Sequence, residues 1–279
     1  RIMAGIGDNT SKVTKYDNPN RTLTDPYEGQ QLGEIWGYVV DGYFKTDEEA
    51  RNYKVDQSFV NQMINASALD NGLHAGDLKF VKIEQTTSAN DRKDMKVIGN
   101  SLPRYNYNFG ISADWYGIDF SVLFQGIGKQ NWYPGAETSM FWGPYSRPYA
   151  SFIPSDFMSQ VWSEENTNAY FPRPRGYVAL GSNRELAVVN TKYLQNLAYC
   201  RLKNLSIGYT LPDKWLSKIG FEKIRVYFSG ENLLTFTKLH SDYIDPEQAS
   251  ASNSWKTSKS DANIYPWAKT YSFGVDITF

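Results

Sequence analysis

From Tyr105 onward the chain alternates. Tyr105, Tyr107, Phe109, Ile111, Ala113 and Trp115 fall on one side, and Asn106, Asn108, Gly110, Ser112 and Asp114 on the other. A period of two predicts a β-strand with one apolar face. Tyr116-Gly117 reads as a tight turn, and a second strand follows with Ile118, Phe120, Val122 and Phe124 opposite Asp119, Ser121 and Gln125. Leu123 interrupts the polar side. Each arm has about 10 residues, the length with which a tilted strand crosses a bilayer. The pattern returns in LSIGYTL (Leu205–Leu211), in IRVYF (Ile224–Phe228) and in YSFGVDITF (Tyr271–Phe279). In the last, Tyr271, Phe273, Val275, Ile277 and Phe279 share a face. Just upstream of Leu205 the phase slips, because Leu202 and Leu205 cannot lie on one face of a regular strand; a bulge or entry into a loop is expected there.

The connections are unequal. Two residues join the first pair of strands, and PDKWLSKIGF (Pro212–Phe221), with about one helical turn, joins another pair. Roughly 65 residues separate Gly128 from Leu194, and roughly 30 separate Phe236 from Lys269. Loops of that length are unusual in compact soluble domains, and short turns alternating with long loops are the habit of outer-membrane barrels. In the first hundred residues GEIWGYVVDGYF predicts strand with turns, Thr46 or Asp47 starts a helix, and GDLKFVKI is a short strand. Asp47–Gly99 reads as an extended excursion rather than a domain of its own.

Composition narrows the class. The 279 residues are 41% hydrophobic, 21% charged and 15% aromatic, with 20 Tyr, 15 Phe and 8 Trp. This is a folding chain rather than a disordered one, and its aromatic content is high. The formal net charge of -1 gives no reason to expect nucleic acid. One cysteine and two histidines exclude an internal disulfide and argue against a zinc site or a His-based catalytic centre. No apolar run is long enough for a transmembrane helix. The mean hydropathy of -0.53 does not exclude a membrane barrel, whose strands average apolar and polar faces. The carboxylates in TDEEA and YIDPE are those of ordinary turns, so no enzyme is expected.

Two all-β readings remain. Alternating strands build soluble sandwiches, here a β-rich carbohydrate-binding module, or a membrane barrel. Tyr105, Trp115, Tyr209 and Tyr271 near strand ends, the inequality of turns and loops, and an aromatic at Phe279 favour the barrel. A self-contained barrel of about eight strands is a third possibility. In the long loop NWYPGAETSMFWGPYSRPY, the aromatics Trp132, Tyr133, Trp142 and Tyr145 could stack on sugars or grip peptide side chains or a lid, and Arg147 could hold a carboxylate. The plain alternative is that they pack the loop. Arg173 and Arg175 in FPRPRG are expected to shape the loop.

Specific phrases go further. YLQNLAYCRLKNLSIGYTLP, then IRVYFSGENLLTFTK, then DPE resemble the C-terminal signature of the SusC/RagA family of TonB-dependent outer-membrane transporters. GEIWGYVVDGYF, GDLKFVKI, VIGNSLPRYNYNFGISADWYGIDFSVLFQG and the final YSFGVDITF match the same family in order, over nearly the whole chain. The resemblance implies an all-β fold, with residues 1–279 forming the C-terminal portion, some seven or eight strands, of a large antiparallel transmembrane β-barrel. The family barrel has 22 strands and long extracellular loops. The plug and N-terminal extension are absent from this chain, which opens RIMAGIGDNT without an initiator Met or signal peptide. The implied function is import of oligosaccharides or peptides across the bacterial outer membrane. The implied partners are a SusD-like surface lipoprotein lid, the remaining N-terminal portion of the transporter, outer-membrane lipid, and TonB–ExbB–ExbD acting through that missing portion. Tyr271, Phe273 and Phe279 would form the barrel assembly signal, and Asn106, Asn108, Asp114, Arg225 and Glu231 a polar lumen wall. Many relatives carry an Asp/Asn/Gly-rich turn after the equivalent of DLKFVKI; here EQTTSANDRKDM lacks alternating oxygen ligands, so neither metal nor cofactor is expected.

Overall fold

Residues 1–55, 57, 73–83, 94–146, 153–174, 179–181, 184–217, 220–251, 259–260 and 265–279 are described in a computed structural model. In chain order its strands are β1 (Ile2–Gly7), β2 (Glu34–Gly37), β3 (Val40–Tyr43), β4 (Leu78–Phe80), β5 (Lys96–Asn100), β6 (Arg104–Trp115), β7 (Ile118–Lys129), β8 (Asn131–Pro134), β9 (Gln195–Asn196), β10 (Tyr199–Thr210), β11 (Lys223–Thr237), β12 (Lys259–Ser260) and β13 (Thr270–Thr278). The short α-helices are α1 (Asp47–Asn52), α2 (Ser139–Trp142), α3 (Asp213–Leu216) and α4 (Pro246–Ala251). Among the described residues no helix is long and apolar enough to cross a membrane.

Six strands form one antiparallel sheet in the order β1-β6-β7-β10-β11-β13, a meander in which each joins the next in the chain. The resemblance implied some seven or eight such strands. The others are short ribbons inside the loops, such as β2 with β5 and β3 with β4, where the aromatic-rich stretches pair locally instead of joining the sheet. The β6–β7 hairpin turns through Tyr116 and Gly117, both at positive φ (47° and 83°), the pair of left-handed residues a two-residue turn needs to match strand twist. At the same end, 211–222 links β10 to β11 and contains α3. Every long connection (8–103, 130–198 and 238–269) leaves from the opposite end.

The phase slip has a structural cause. Against both neighbours the register of β10 shifts between Leu202 and Asn204. Against β7 the extra residue is Lys203, and against β11 it lies on β11 itself, between Leu234 and Glu231, so Leu202 (opposite Phe124 and Leu234) and Leu205 (opposite Val122 and Gly230) emerge on the same face. Rows of apolar side chains therefore run unbroken across the sheet. Ala113, Phe120, Ile207, Phe228 and Phe273 form one; Trp115, Ile118, Tyr209, Val226 and Val275 form the next.

Nothing described covers that face. Phe273 is 82% exposed, and Ile6, Ile111, Ile207, Val226 and Ile277 are likewise open. A sandwich would bury these positions under a second sheet. The buried core lies elsewhere, in the loops. Tyr38, Leu78 and Phe80 come from the first long connection, Trp132, Trp142, Phe171 and Tyr193 from the second, and Leu239, Ile244 and Ala249 from the third; all join one hydrophobic cluster. The loops thus form a single packed cap on one end of the sheet.

Local signals behave as read. Thr46 caps α1, its hydroxyl accepting from the Glu49 N–H at 3.1 Å, while Glu49 accepts from the Lys45 N–H at 2.7 Å. EQTTSANDRKDM falls almost wholly outside the described residues.

Candidate functional site

The second face of the sheet is polar. Asn106, Asn108, Asp114, Arg225 and Glu231, predicted to share a wall, do so in register. A row of five serines, Ser112, Ser121, Ser206, Ser229 and Ser272, crosses five strands on this face. Each was legible as a polar position, but the row depends on register, which alternation alone does not supply. Nearer the turns, Arg225 binds Asp119 with two hydrogen bonds of 2.8 and 2.6 Å, and reaches Asp276 at 3.2 Å. These three groups stitch β7, β11 and β13 together across β10. The bridge passes over Gly208, where a Cβ would sit 2.4 Å from Asp119 Oδ1 and 2.6 Å from Arg225 Nε. Glycine is required there by the close approach of the ion pair.

At the cap end a second ion cluster ties a loop to the wall. Arg201 of β10 is 1% exposed, and its guanidinium donates to Glu247 Oε2 (2.7 Å), Asp245 Oδ2 (2.5 Å) and Thr235 Oγ1 (3.0 Å). Asp245 also accepts from the Glu247 N–H at 2.9 Å, starting α4. The DPE phrase therefore anchors the third loop on the sheet. Sequence reading left these carboxylates as turn residues, and the signal it passed over is an arginine inside an otherwise apolar strand start.

The loop aromatics point inward. Trp132, Tyr133 and Trp142 are 0% exposed and Tyr145 is 3%. Their polar atoms are used within the cap. The Tyr133 hydroxyl donates to the Leu186 carbonyl (2.8 Å) and accepts from Asn190 Nδ2 (2.9 Å); Trp142 Nε1 donates to the Gly135 carbonyl (2.9 Å) and Tyr145 to the Pro172 carbonyl (2.7 Å). Burial drives the Tyr133 and Tyr193 hydroxyls well above their usual pKa, so both stay protonated donors. The four rings, read as possible ligand or lid contacts or else as packing of the loop, lie within the packing of the cap. Arg147, named with them, lies outside the described residues, as does Arg175; Arg173 pairs with the buried Asp77 at 2.7 Å.

Where the second and third loops meet, a cavity of about 170 Å³ opens. Met140, Phe141, Phe157, Phe171, Asp156, Gln160, His240 and Asp242 are among the residues that line it. The His240 ring stacks on Tyr170 (centroids 3.5 Å apart, planes at 15°), and its Nε2 is 2.8 Å from Gln160 Oε1. Burial lowers the His240 pKa below the usual 6.5, with Asp242 and Asp156 pulling the other way. Folding therefore favours neutral imidazole. Below about pH 6.5 the unfolded cap takes up the proton first, so this contribution, present above that pH, is lost on acidification. Protease cutting at the junction of the two loops is expected to rise between pH 7 and pH 5 in the wild type and to rise less in His240→Gln; equal rises in both would contradict it.

A meander with one uncovered apolar face, one polar face, tight turns at one end and a packed loop cap at the other matches the pattern of strands, turns and loops found in the outer-membrane class of β-barrels. Relatives agree with that class. The chain is 27% identical over 258 residues, 90% of its length, to TonB-dependent receptor P3 of Formosa agariphila, and 24% identical over 277 residues to TonB-dependent receptor P39 of the same organism. It spans 22% and 25% of those two proteins. Among solved structures, the RagAB peptide transporter matches the whole chain over 27% of its own, with a TM-score of 0.59 and 20% identity. The RagAB peptide importer in the open-open state gives a TM-score of 0.57 at 19% identity. No family model matches the chain. The likeness to TonB-dependent receptors of the SusC/RagA type, expected from the sequence phrases, is thus found in sequence relatives and in fold alike.

Proposed function

We propose that this chain is the C-terminal part of the barrel wall of a TonB-dependent importer in the bacterial outer membrane, taking up peptides or oligosaccharides. The observation that carries the reading is the uncovered apolar face of the six-stranded sheet. From Tyr105 to Trp115 a strand rises about 33 Å, which at a tilt of about 40° spans about 25 Å, the height of the apolar band of an outer-membrane barrel. Exposed aromatics mark both ends of that span: Trp115, Tyr116 and Trp215 at the turns, Tyr105, Tyr265 and Trp267 towards the cap.

β1 and β13 each pair on one side only among the described strands. Unpaired edges of this length invite further strands, and in this reading they are completed by the N-terminal portion of the transporter, up to the family's 22 strands. The polar wall faces the lumen and its plug. The cap faces outwards, where a SusD-like lipoprotein closes as a lid, and TonB–ExbB–ExbD act through the missing portion. Tyr271, Phe273 and Phe279 stand on the open side of the last strand and serve as the assembly signal; Phe279→Ser is expected to lower the amount of assembled receptor severalfold, read as the heat-resistant band on gels of outer membranes.

A deletion strain tests the whole reading. Growth on one panel of peptides or glycans as sole nutrient is expected to be lost, and lost equally when TonB is removed, with the protein recovered in outer-membrane fractions. Unaltered growth on every nutrient, with the protein in the water-soluble fraction, would overturn it in favour of a soluble binding module.

A further inference from the structure

We infer that Tyr227 and Gly274, together with Arg225 and Asp276, form a key that sets the register of the last strand, β13, on β11. The need for a key is visible in the sheet. Two residues join β6 to β7, and a turn that short dictates the pairing of its strands. β13 arrives through the connection 238–269, which dictates nothing. The apolar face does not choose either. A slide of β13 by two residues keeps every side chain on its own side. Val226, which stands opposite Val275, would then meet Phe273 or Ile277. Phe228 already has both Phe273 (5.2 Å between centroids) and Tyr271 (6.4 Å) beside it.

The polar face does choose. In the row Asp119, Gly208, Tyr227 and Gly274, the Tyr227 ring lies over Gly274, where a Cβ would come 2.3 Å from Cζ and 2.6 Å from Cε1. The ring cannot swing to its other side. There the pair of Arg225 and Asp119 fills the space over Gly208, and the Arg225 guanidinium lies 4.7 Å from the centre of the Tyr227 ring. Gly274 is the only glycine of β13. A slide by two would put Ser272 or Asp276 under the ring. It would also set Arg225 opposite Gly274 or Thr278 and lose its 3.2 Å contact with Asp276. Ring seat and ion pair thus agree on one alignment. The seam of β7 and β10, also joined by a long connection, has a similar device: Tyr107 crosses over Gly126, and its hydroxyl donates to the Tyr199 carbonyl at 2.9 Å. The outer edge of β13 is unpaired among the described strands. Where that edge receives the strand that closes a barrel, the key also fixes the stagger at closure; this consequence rests on the import reading, and the key itself does not.

The experiment reads register as disulfides in the full-length receptor, with Cys200→Ser and paired cysteines, the linked peptides being counted by mass spectrometry. Val226→Cys/Val275→Cys reports the present alignment; Val226→Cys/Phe273→Cys and Val226→Cys/Ile277→Cys report slides by two. With the key intact the first pair is expected to form about tenfold more product than either other, the weight of two cross-strand contacts together. In Tyr227→Ser/Asp276→Ser the difference should fall to within about threefold. Arg225 keeps both bonds to Asp119 there, so no charge is orphaned. An unchanged preference for the first pair in assembled receptor overturns the key. Where the double variant does not assemble, a second comparison decides. Gly274→Val is expected to lower the amount of assembled receptor severalfold. Tyr227→Ser added to it should restore most of the loss, because the ring is gone while Arg225 and Asp276 still mark the alignment. No loss in Gly274→Val, or no recovery on removing the ring, overturns the proposal. The fraction that holds the receptor, outer membrane or water-soluble, tests the import reading separately, since the disulfides report register in either.

Discussion

Phe109→Arg is expected to destabilise the assembled receptor in lipid by about 2–4 kcal/mol, the cost of a basic side chain at the mid-depth of a barrel's lipid face. Phe109 stands near the middle of β6 on the uncovered face, its ring stacked on Phe124 across the strand pair, centroids 4.6 Å apart and planes at 13°. Loss of that stack adds a smaller term of about 1 kcal/mol. The comparison that isolates the solvent is Ser112→Arg, three residues along on the polar face, where the same guanidinium meets water and costs much less. Urea-driven unfolding of receptor reconstituted in vesicles reads both. Equal losses at the two positions would mean that the faces do not differ in what touches them.

Arg201→Leu is expected to cost about 3 kcal/mol, at the lower end of what removing one partner of a buried ion cluster does. The reason is what stays behind. Asp245 and Glu247 would face each other with only Lys203, 3.5 Å from Glu247. Because Glu247 is partly exposed, water relieves some of this. The loop at 238–269 should come free of β10 and become sensitive to protease, while the strands stay assembled. Adding Asp245→Asn and Glu247→Gln removes the orphaned charges and should restore much of the loss, since an uncharged cluster leaves no unpaired ion. Unchanged cleavage of the loop in Arg201→Leu would show that α4 is held by its packing, through Ile244 and Ala249, rather than by the ions.

Both predictions separate what was legible in the chain from what was not. The two-faced strands were legible because side chains alternate with a strict period of two, so Tyr105–Trp115 and Tyr271–Phe279 declare their faces without knowledge of any neighbour. Even the break in that period was informative. The slip at Leu202 marked the place where Lys203 is inserted relative to β7. What alternation could not supply is anything that depends on which strand lies beside which. The serine row runs across five strands, and the bridge from Arg225 to Asp119 over Gly208 and the clamp of Arg201 on Asp245 and Glu247 join residues 44 to 106 positions apart. The loop aromatics show a different limit. Trp132 and Trp142 carry the same composition whether they grip a ligand or pack a core; only their complete burial, with every polar atom turned inward, distinguishes the two. The cavity at His240 was invisible for the same reason, since its lining comes from two loops that alternation says nothing about.

The most direct measurement of the central claim asks what touches the apolar face. With Cys200 replaced by serine, single cysteines at Ile111, Val226, Val275 and, for contrast, Ser229 can carry a nitroxide label in receptor reconstituted in bilayers. At the first three positions the account predicts ready collision with oxygen dissolved in lipid and little with a water-soluble nickel complex; at Ser229 the preference should reverse or both collisions fall. Nickel access at Ile111, Val226 and Val275 equal to that of an exposed loop, or exclusion of both reagents there as in a protein interior, would contradict it.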